Sequence, residues 1–254
     1  MARTNKKHQR IYLDGYDMSG YTRDAGTLSL VYEAIPDACL TDGVKNVILG
    51  QPTIACGPIN ATFDTTATSG MHVLHSSTGG QDYVCVAIGA GAAPAAGNPF
   101  FAWYMYQKSY NTATGNGFLS ATLEYEPSTG FVTYGKPWGS IILPLTAKSA
   151  ANAANNGVDG VAGTLAGGIF YYHATGGDDT TITLTLEDSD DNGSADAWAA
   201  ITGATSGVIN PVTTPVAGMV NIATDQAIKR YVRWQLDITG GASAVSLFYG
   251  LIRG

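Results

Sequence analysis

The sequence predicts a mainly β protein: two β-sandwich or barrel modules of antiparallel strands, with one or two short helices. Three observations carry that expectation. From Tyr231 to Arg253 the chain reads YVRWQLDITGGASAVSLFYGLIR, in which Val232, Trp234, Leu236 and Ile238 alternate with Tyr231, Arg233, Gln235 and Asp237. After a Thr-Gly-Gly-Ala-Ser turn, Val245, Leu247, Tyr249 and Leu251 alternate again. A period of two on both sides of a glycine turn predicts an antiparallel hairpin with one buried face. Second, short runs rich in β-branched and aromatic residues recur along the chain between turn-forming residues, as the strands of sandwiches and barrels do. Third, long stretches with a helical period are few.

Taken in order, the predicted strands are Gln9–Leu13, Leu28–Tyr32, Val47–Leu49, Met71–His75, Tyr83–Ile88, Phe100–Tyr106, Leu119–Glu124, Phe131–Tyr134, Ile169–His173, Thr181–Glu187, Tyr231–Ile238 and Ala244–Ile252. Val84 to Tyr106 carries no charge and is long enough to span a bilayer,. Pro94, Asn98, Pro99 and several glycines break it, so it reads as two strands around an Ala/Gly/Pro loop,. The two predicted helices are Ala147–Ala154 and Thr224–Lys229; in the second, Thr224 would cap the first turn and Asp225 would face the helix dipole favourably,. Phe100–Glu124 and Ile169–Glu187 echo one another: an aromatic strand, a polar Gly/Thr turn, then Ala121-Thr-Leu-Glu124 or Leu184-Thr-Leu-Glu187. The echo fits a duplication or two ordinary hairpins of similar composition. A duplication places the boundary in the Ala/Asn/Gly-rich stretch from Pro144 to Gly168, which gives modules at 1–144, with a basic N-terminal arm, and at 145–254,.

A chain of 254 residues buries roughly 70–75% of its unfolded surface, so it needs no disulfide or metal to hold a core,. Only 13% of its residues are charged, against about 25% in an average chain. So few charges imply surface covered by partners. The net charge is −7, yet Arg3, Lys6, Lys7 and Arg10 lie in a first decapeptide without an acid. The rest of the chain is strongly acidic, which excludes nucleic-acid binding by clustered phosphate contacts. The arm reads as a solvated tail or a docking strap. Asp14 and Asp17 interrupt any apolar run behind it, so no secretory signal is expected and the mature chain should begin near Met1,. Cys39, Cys56 and Cys85 form no CxxC pair and read as free, buried residues of a protein folded in a reducing cytoplasm,.

The sharpest chemical motif is Asp188-Ser-Asp190-Asp-Asn192-Gly193-Ser-Ala-Asp196, which matches the first half of a calcium loop,. Position 12 is Ala199, so the bidentate Glu is missing, and a strand precedes the loop. A hairpin turn in which Asp-Asn-Gly supplies positive φ and the acids stay solvated accounts for the same residues, and no structural calcium requirement is expected. His72 and His75 would point to opposite faces of a strand; a shared metal would need a helix there. His8 lies in the arm and His173 ends an aromatic strand. A satisfied structural histidine is the expectation for each of the four. Asp178 and Asp179 sit in a Gly-Gly-Asp-Asp-Thr turn and are explained by local backbone bonding,. The sequons Asn60-Ala-Thr62 and Asn192-Gly-Ser194 carry no weight without a signal peptide,. GxSxG, Walker, HExxH and dinucleotide signatures are absent. No catalytic, cofactor-binding or metal residue is therefore assigned, no cofactor is expected, and the chain reads as a non-enzyme.

The segments YLDGYDMSGYTR (Tyr12–Arg23), GGIFYYHATGGDDTTITLTLEDSDDNGSADAWAAITGAT (Gly167–Thr205) and KRYVRWQLDITGGASAVSLFYGLIRG (Lys229–Gly254) together resemble tailed-bacteriophage virion proteins, most of all tail-tube proteins. The resemblance implies a β-sandwich subunit made in the host cytoplasm and built into the virion tail. It would stack in homo-oligomeric rings, hexameric or pseudo-hexameric trimers, around a lumen that conducts DNA at ejection. Other tail proteins such as the tape measure and terminator would be partners; DNA would pass without specific binding, and no membrane would be involved. An acidic body suits such a wall, since it repels phosphate without gripping it. Two other classes share the composition: a capsid decoration or head-fibre protein, and a carbohydrate-binding module or adhesin using Trp103, Tyr104 and Tyr106.

Overall fold

The computed structural model describes residues 6–36, 47–65, 71–76, 80–115, 118–128, 136–149, 151–153, 157–177, 180–212, 214–240 and 244–254. Cys39, Asp178, Asp179, Arg3 and the predicted strand Phe131–Tyr134 lie outside them. The first half holds β1 (Gln9–Leu13), β2 (Tyr16–Asp17), β3 (Thr22–Asp24), β4 (Thr27–Pro36), β5 (Val47–Thr62), helix α1 (Met71–His75), β6 (Gln81–Ile88), β7 (Pro99–Gly115) and β8 (Phe118–Pro127). The second holds β9 (Trp138–Lys148), β10 (Asn152–Ala153), β11 (Val158–Asp159), β12 (Gly168–Thr175), β13 (Thr180–Ser189), β14 (Ala199–Ile209), β15 (Val216–Ile222), β16 (Tyr231–Gly240) and β17 (Val245–Arg253). The protein is mainly β, and its ladders are antiparallel.

Two sheets result. The long one runs β15-β12-β17-β9-β7-β6-β1-β2, with β8, β5, β4 and β3 continuing from β7. The other runs β10-β16-β13-β14, with β11 also on β16. Alternation along the strands sorts their side chains into three cores. Ile11, Leu13, Val84, Val86, Phe101, Trp103 and Met105 face Ile54, Ile59, Ala121, Leu123 and Tyr125 in the first half. Phe170, Tyr172, Leu247 and Tyr249 face Leu184, Leu186, Trp234 and Leu236 of the second sheet. Between these lies a third core, made by the opposite faces of the same strands: Tyr12, Cys85, Ala87, Phe100 and Ala102 from the first half against Ile169, Tyr171, Phe248 and Ile252 from the second. The central strands are thus buried on both faces, and read as continuous apolar runs such as Ile-Phe-Tyr-Tyr,. Positions 144 and 145, where a module boundary was expected, fall inside β9, which pairs with β17 and with β7.

Several expectations are corrected. The C-terminal alternation is real, but β16 and β17 do not pair: β16 joins β13 in the second sheet and β17 joins β12 and β9 in the long one. The two strands instead lie in different sheets and face each other, with the Tyr249 hydroxyl donating to the Gln235 carbonyl at 2.8 Å. Nor has β17 one buried face, since Phe248 and Ile252 on its other side are fully buried. Met71–His75 is a helix, in which Met71 and His75, four apart, are buried while Val73 is exposed,. The described part of Ala147–Ala154 is not helical: β9 continues to Lys148 because Val245 pairs with it, and Asn152–Ala153 pairs with β16. Thr224–Lys229 is a turn with a single bridge from Ile228 to Thr164. Among the described residues no helix is long and apolar enough to cross a membrane.

Candidate functional site

The Asp188–Asp196 loop closes the β13–β14 hairpin, and Asn192 (φ 63°) and Gly193 (φ 78°) supply the left-handed turn. Ser189 anchors it: its hydroxyl accepts from the Gly193 amide at 2.8 Å and donates to the Asp196 carbonyl at 2.8 Å. The carboxylates are not merely solvated. Asp191 accepts the amides of Ser194, Ala195 and Asp196, and these bonds, that of Ala195 foremost, hold its carboxyl below the usual carboxylate range. Asp188 is buried, which raises its pKa, and accepts the Lys229 amide at 2.9 Å. Asp196 takes the Lys229 ammonium at 2.7 Å and the Asp190 amide at 2.7 Å, while Asn192 Oδ1 accepts the Gly157 amide at 2.7 Å. Three of the oxygens a calcium ion would need are therefore engaged by donors of the chain itself, and the cation they face is Lys229. Asp191→Ala is expected to lower the melting temperature by a few degrees at neutral pH. Because the folded pKa is depressed, the contribution is complete above the unfolded pKa of about 4 and is lost as pH falls through the folded value. Thermal melts of both proteins at pH 7 and pH 3 check this: the gap should narrow in acid.

The histidines separate. His8 sits in a short 3-10 turn, where its carbonyl accepts the Gly89 amide. His72 Nδ1 lies 3.2 Å from the Tyr110 hydroxyl and its ring packs on Phe63. The helix brings His75 to the same element, but His75 turns to Asp82, 3.5 Å away, whose carboxylate also accepts the Tyr125 hydroxyl at 3.0 Å. Burial first, and the Asp82 charge second, push the Tyr125 phenol up, so it remains a donor. No group of three or more His, Cys, Asp or Glu side chains with metal-binding geometry occurs among the described residues. The expectation of a satisfied histidine fails at His173, which is fully buried among apolar side chains with no hydrogen-bond partner for either ring nitrogen, and in part at His75, whose buried Nε2 has none. Cys56 and Cys85 are free and buried, and burial pushes the Cys56 thiol up to about 12.

Trp103, Tyr104 and Tyr106 form no platform. Trp103 packs in the first core, Tyr104 is half-buried and donates to Gln81 Oε1 at 2.9 Å, and only Tyr106 is exposed. The feature that sequence reasoning missed is a surface. From Val31 to Pro36 and from Val47 to Thr53, β4 and β5 pair only with each other among the described residues, because the contacts of β5 with β8 begin at Cys56 and those with β3 at Asn60. This two-stranded arm carries Val31, Tyr32, Ile35 and Leu49, exposed at 56, 43, 46 and 67%. Exposed charge between them is limited to Glu33 among the described side chains. An isolated two-stranded ribbon is marginal in water, and its free edges invite another strand.

No protein-family profile and no curated protein matches the sequence. Among solved structures the chain is similar to the SPP1 Dit (gp 19.1) protein, described as a paradigm of the hub adsorption apparatus in phages infecting Gram-positive bacteria. The match covers 96% of this chain and 99% of that one, at 12% identity and a TM-score of 0.33. At that identity and score the functional argument rests on the chain's own residues.

Proposed function

We propose that this chain is a structural protein of a bacteriophage tail, and that it works as a tail-tube subunit assembling with copies of itself into rings. The observation that carries the reading is the β4–β5 arm: apolar side chains on a ribbon whose edges no other described strand pairs are stabilised when a neighbouring subunit covers them,. A low charge fraction extends the same logic to the rest of the surface, and an acidic body suits a wall along which DNA slides,. The described residues form buried cores, and the acids of the Asp188 loop are bonded to amides and an ammonium of the chain itself. The test is negative-stain microscopy of the purified chain beside a variant carrying Val31→Ser, Tyr32→Ser, Ile35→Ser and Leu49→Ser. Rings or hollow tubes are expected for the parent. The variant should keep its circular dichroism spectrum and melting temperature, as exposed substitutions do, but sediment as a monomer. A parent that stays monomeric at high concentration, or a variant that assembles like the parent, would overturn the proposal.

A further inference from the structure

The third core is a joint between two bodies that each have a core of their own. Sheet continuity across it is one short seam: β7 pairs with β9 at Pro99–Ser140, Phe100–Gly139 and Phe101–Trp138, extended by the Ala102 amide on the Pro137 carbonyl, the Gly97 amide on the Ile141 carbonyl and the Ile141 amide on the Asn98 carbonyl. Beyond that ladder the halves meet face to face, Tyr12, Cys85, Phe100 and Ala102 against Ile169, Tyr171 and Phe248. His173 ends the same face of β12. It is fully buried, its ring lies 5.1 Å from that of Tyr12, and both ring nitrogens lack partners. Its cross-strand neighbours, Phe248 on β17 and Ala217 on β15, carry no charge. From β2 Asp17 favours the protonated ring; Arg10 and Tyr12 of β1 line, with Asp17, Pro144 and Leu145, a crevice of about 240 Å³ at this edge of the joint. Cys85 of β6 and Tyr171 of β12 are the other buried titratable groups of this core, and Tyr83 of β6 and Tyr104 of β7 pack against it. An imidazole is poorly suited to such a place: burying a polar group without a partner is unfavourable, and burying its cation far more so.

We propose that the joint is an acid-sensitive hinge, in which protonation of His173 parts the β1–β6–β7 face from the β9–β12–β17 face about the short β7–β9 ladder. The cation gains water by leaving, while the two outer cores share no residue with the joint and remain closed. Burial holds His173 down at about 4, against about 6.5 in open chain,. The open joint therefore binds the proton more readily, and the closed form is favoured fully above about pH 6.5 and progressively less as pH falls towards 4.

The two free thiols among the described residues make this measurable, since Cys85 lies in the joint and Cys56 in the outer core of the first half. The full chain is labelled with 4,4′-dithiodipyridine at pH 7 and pH 4.5, each rate normalised to the denatured chain at the same pH, and the sites are read by peptide mass spectrometry. The normalised rate at Cys85 is expected to rise on the order of 50-fold in acid, the ratio of proton binding by the open and closed forms, while Cys56 stays protected. In His173→Phe the rise should vanish; His173→Gln, equally unable to become a cation at these pH values, should lose it too if the phenyl ring disturbs folding. A Cys85 rate that does not change, a rise that persists in both variants, or Cys56 accelerating in step with Cys85 would overturn the hinge.

Discussion

Trp234→Ala is expected to remove about 3–5 kcal/mol of folding stability, as large aromatic-to-alanine changes in cores do. The indole sits on β16 in the second sheet with 6% exposure, between the buried side chains of Val232 and Leu236. Across the sandwich its ring meets Tyr249 of β17 at 6.2 Å, and the Lys148 ammonium of β9 lies 4.6 Å above it. One residue thus ties three strands from two sheets. The gap left by alanine cannot close readily, because the Tyr249 hydroxyl is bonded to the Gln235 carbonyl and holds the sheets at their spacing. Against a total stability of typically 5–15 kcal/mol, such a loss depletes or abolishes soluble protein. Denaturant titration measures it, with Trp234→Phe as the milder control. A Trp234→Ala protein that unfolds at the parent's midpoint would remove Trp234 from the core and reopen its use as a binding surface.

The same residue shows what the sequence makes legible. Alternation told correctly which side of Tyr231–Ile238 is buried, because a strand's two faces are set by a period of two whatever the strand's neighbours. It could not tell which strand lies beside it, because a glycine-rich connection in a sequence does not say whether the strands it joins pair or part into different sheets. The strands that went unseen lack the alternating signal for identifiable reasons. β14 buries only Ile201 and Ala204, and its register with β13 shifts twice. β9 reads Ile-Ile-Leu-Pro-Leu, with Pro144 placed where the ladder with β17 slips and no amide is needed,. β15 is a Gly/Ala/Asn-bearing edge strand of weak β propensity,. The Asp188 loop was readable as a turn, since Asn-Gly at positive φ is a local property. Lys229 as its cation was not, for the pair is 33 residues apart. The apolar arm was hidden for a related reason: Val31 and Ile35 look like core residues until it is known that no other described strand pairs with this part of β4 and β5.

Phe248→Ala tests the joint rather than a sandwich, and here too about 3–5 kcal/mol is expected. Phe248 is fully buried and its ring touches both bodies: Tyr12 at 5.2 Å and Phe100 at 5.9 Å from the first half, Tyr171 at 5.8 Å from the second. Offset and edge-to-face pairs of this kind add to simple burial, so deleting the ring costs three contacts at once. Relaxation into the gap is restricted by the neighbouring Gly250, where a Cβ would lie 2.4 Å from the Phe100 ring; that ring already rests on the β17 backbone and has little room to shift. The consequence should be local as well as global. In Phe248→Ala at pH 7, where His173 is neutral, Cys85 should react with thiol reagent faster than in the parent, while Cys56 keeps its protection, because the outer core contains no part of the lost cluster. Denaturant titration gives the stability change and site-resolved labelling gives its location. Equal acceleration at both cysteines would mean that the two bodies unfold as one unit, and an unchanged midpoint would mean that the joint contributes nothing to holding them together.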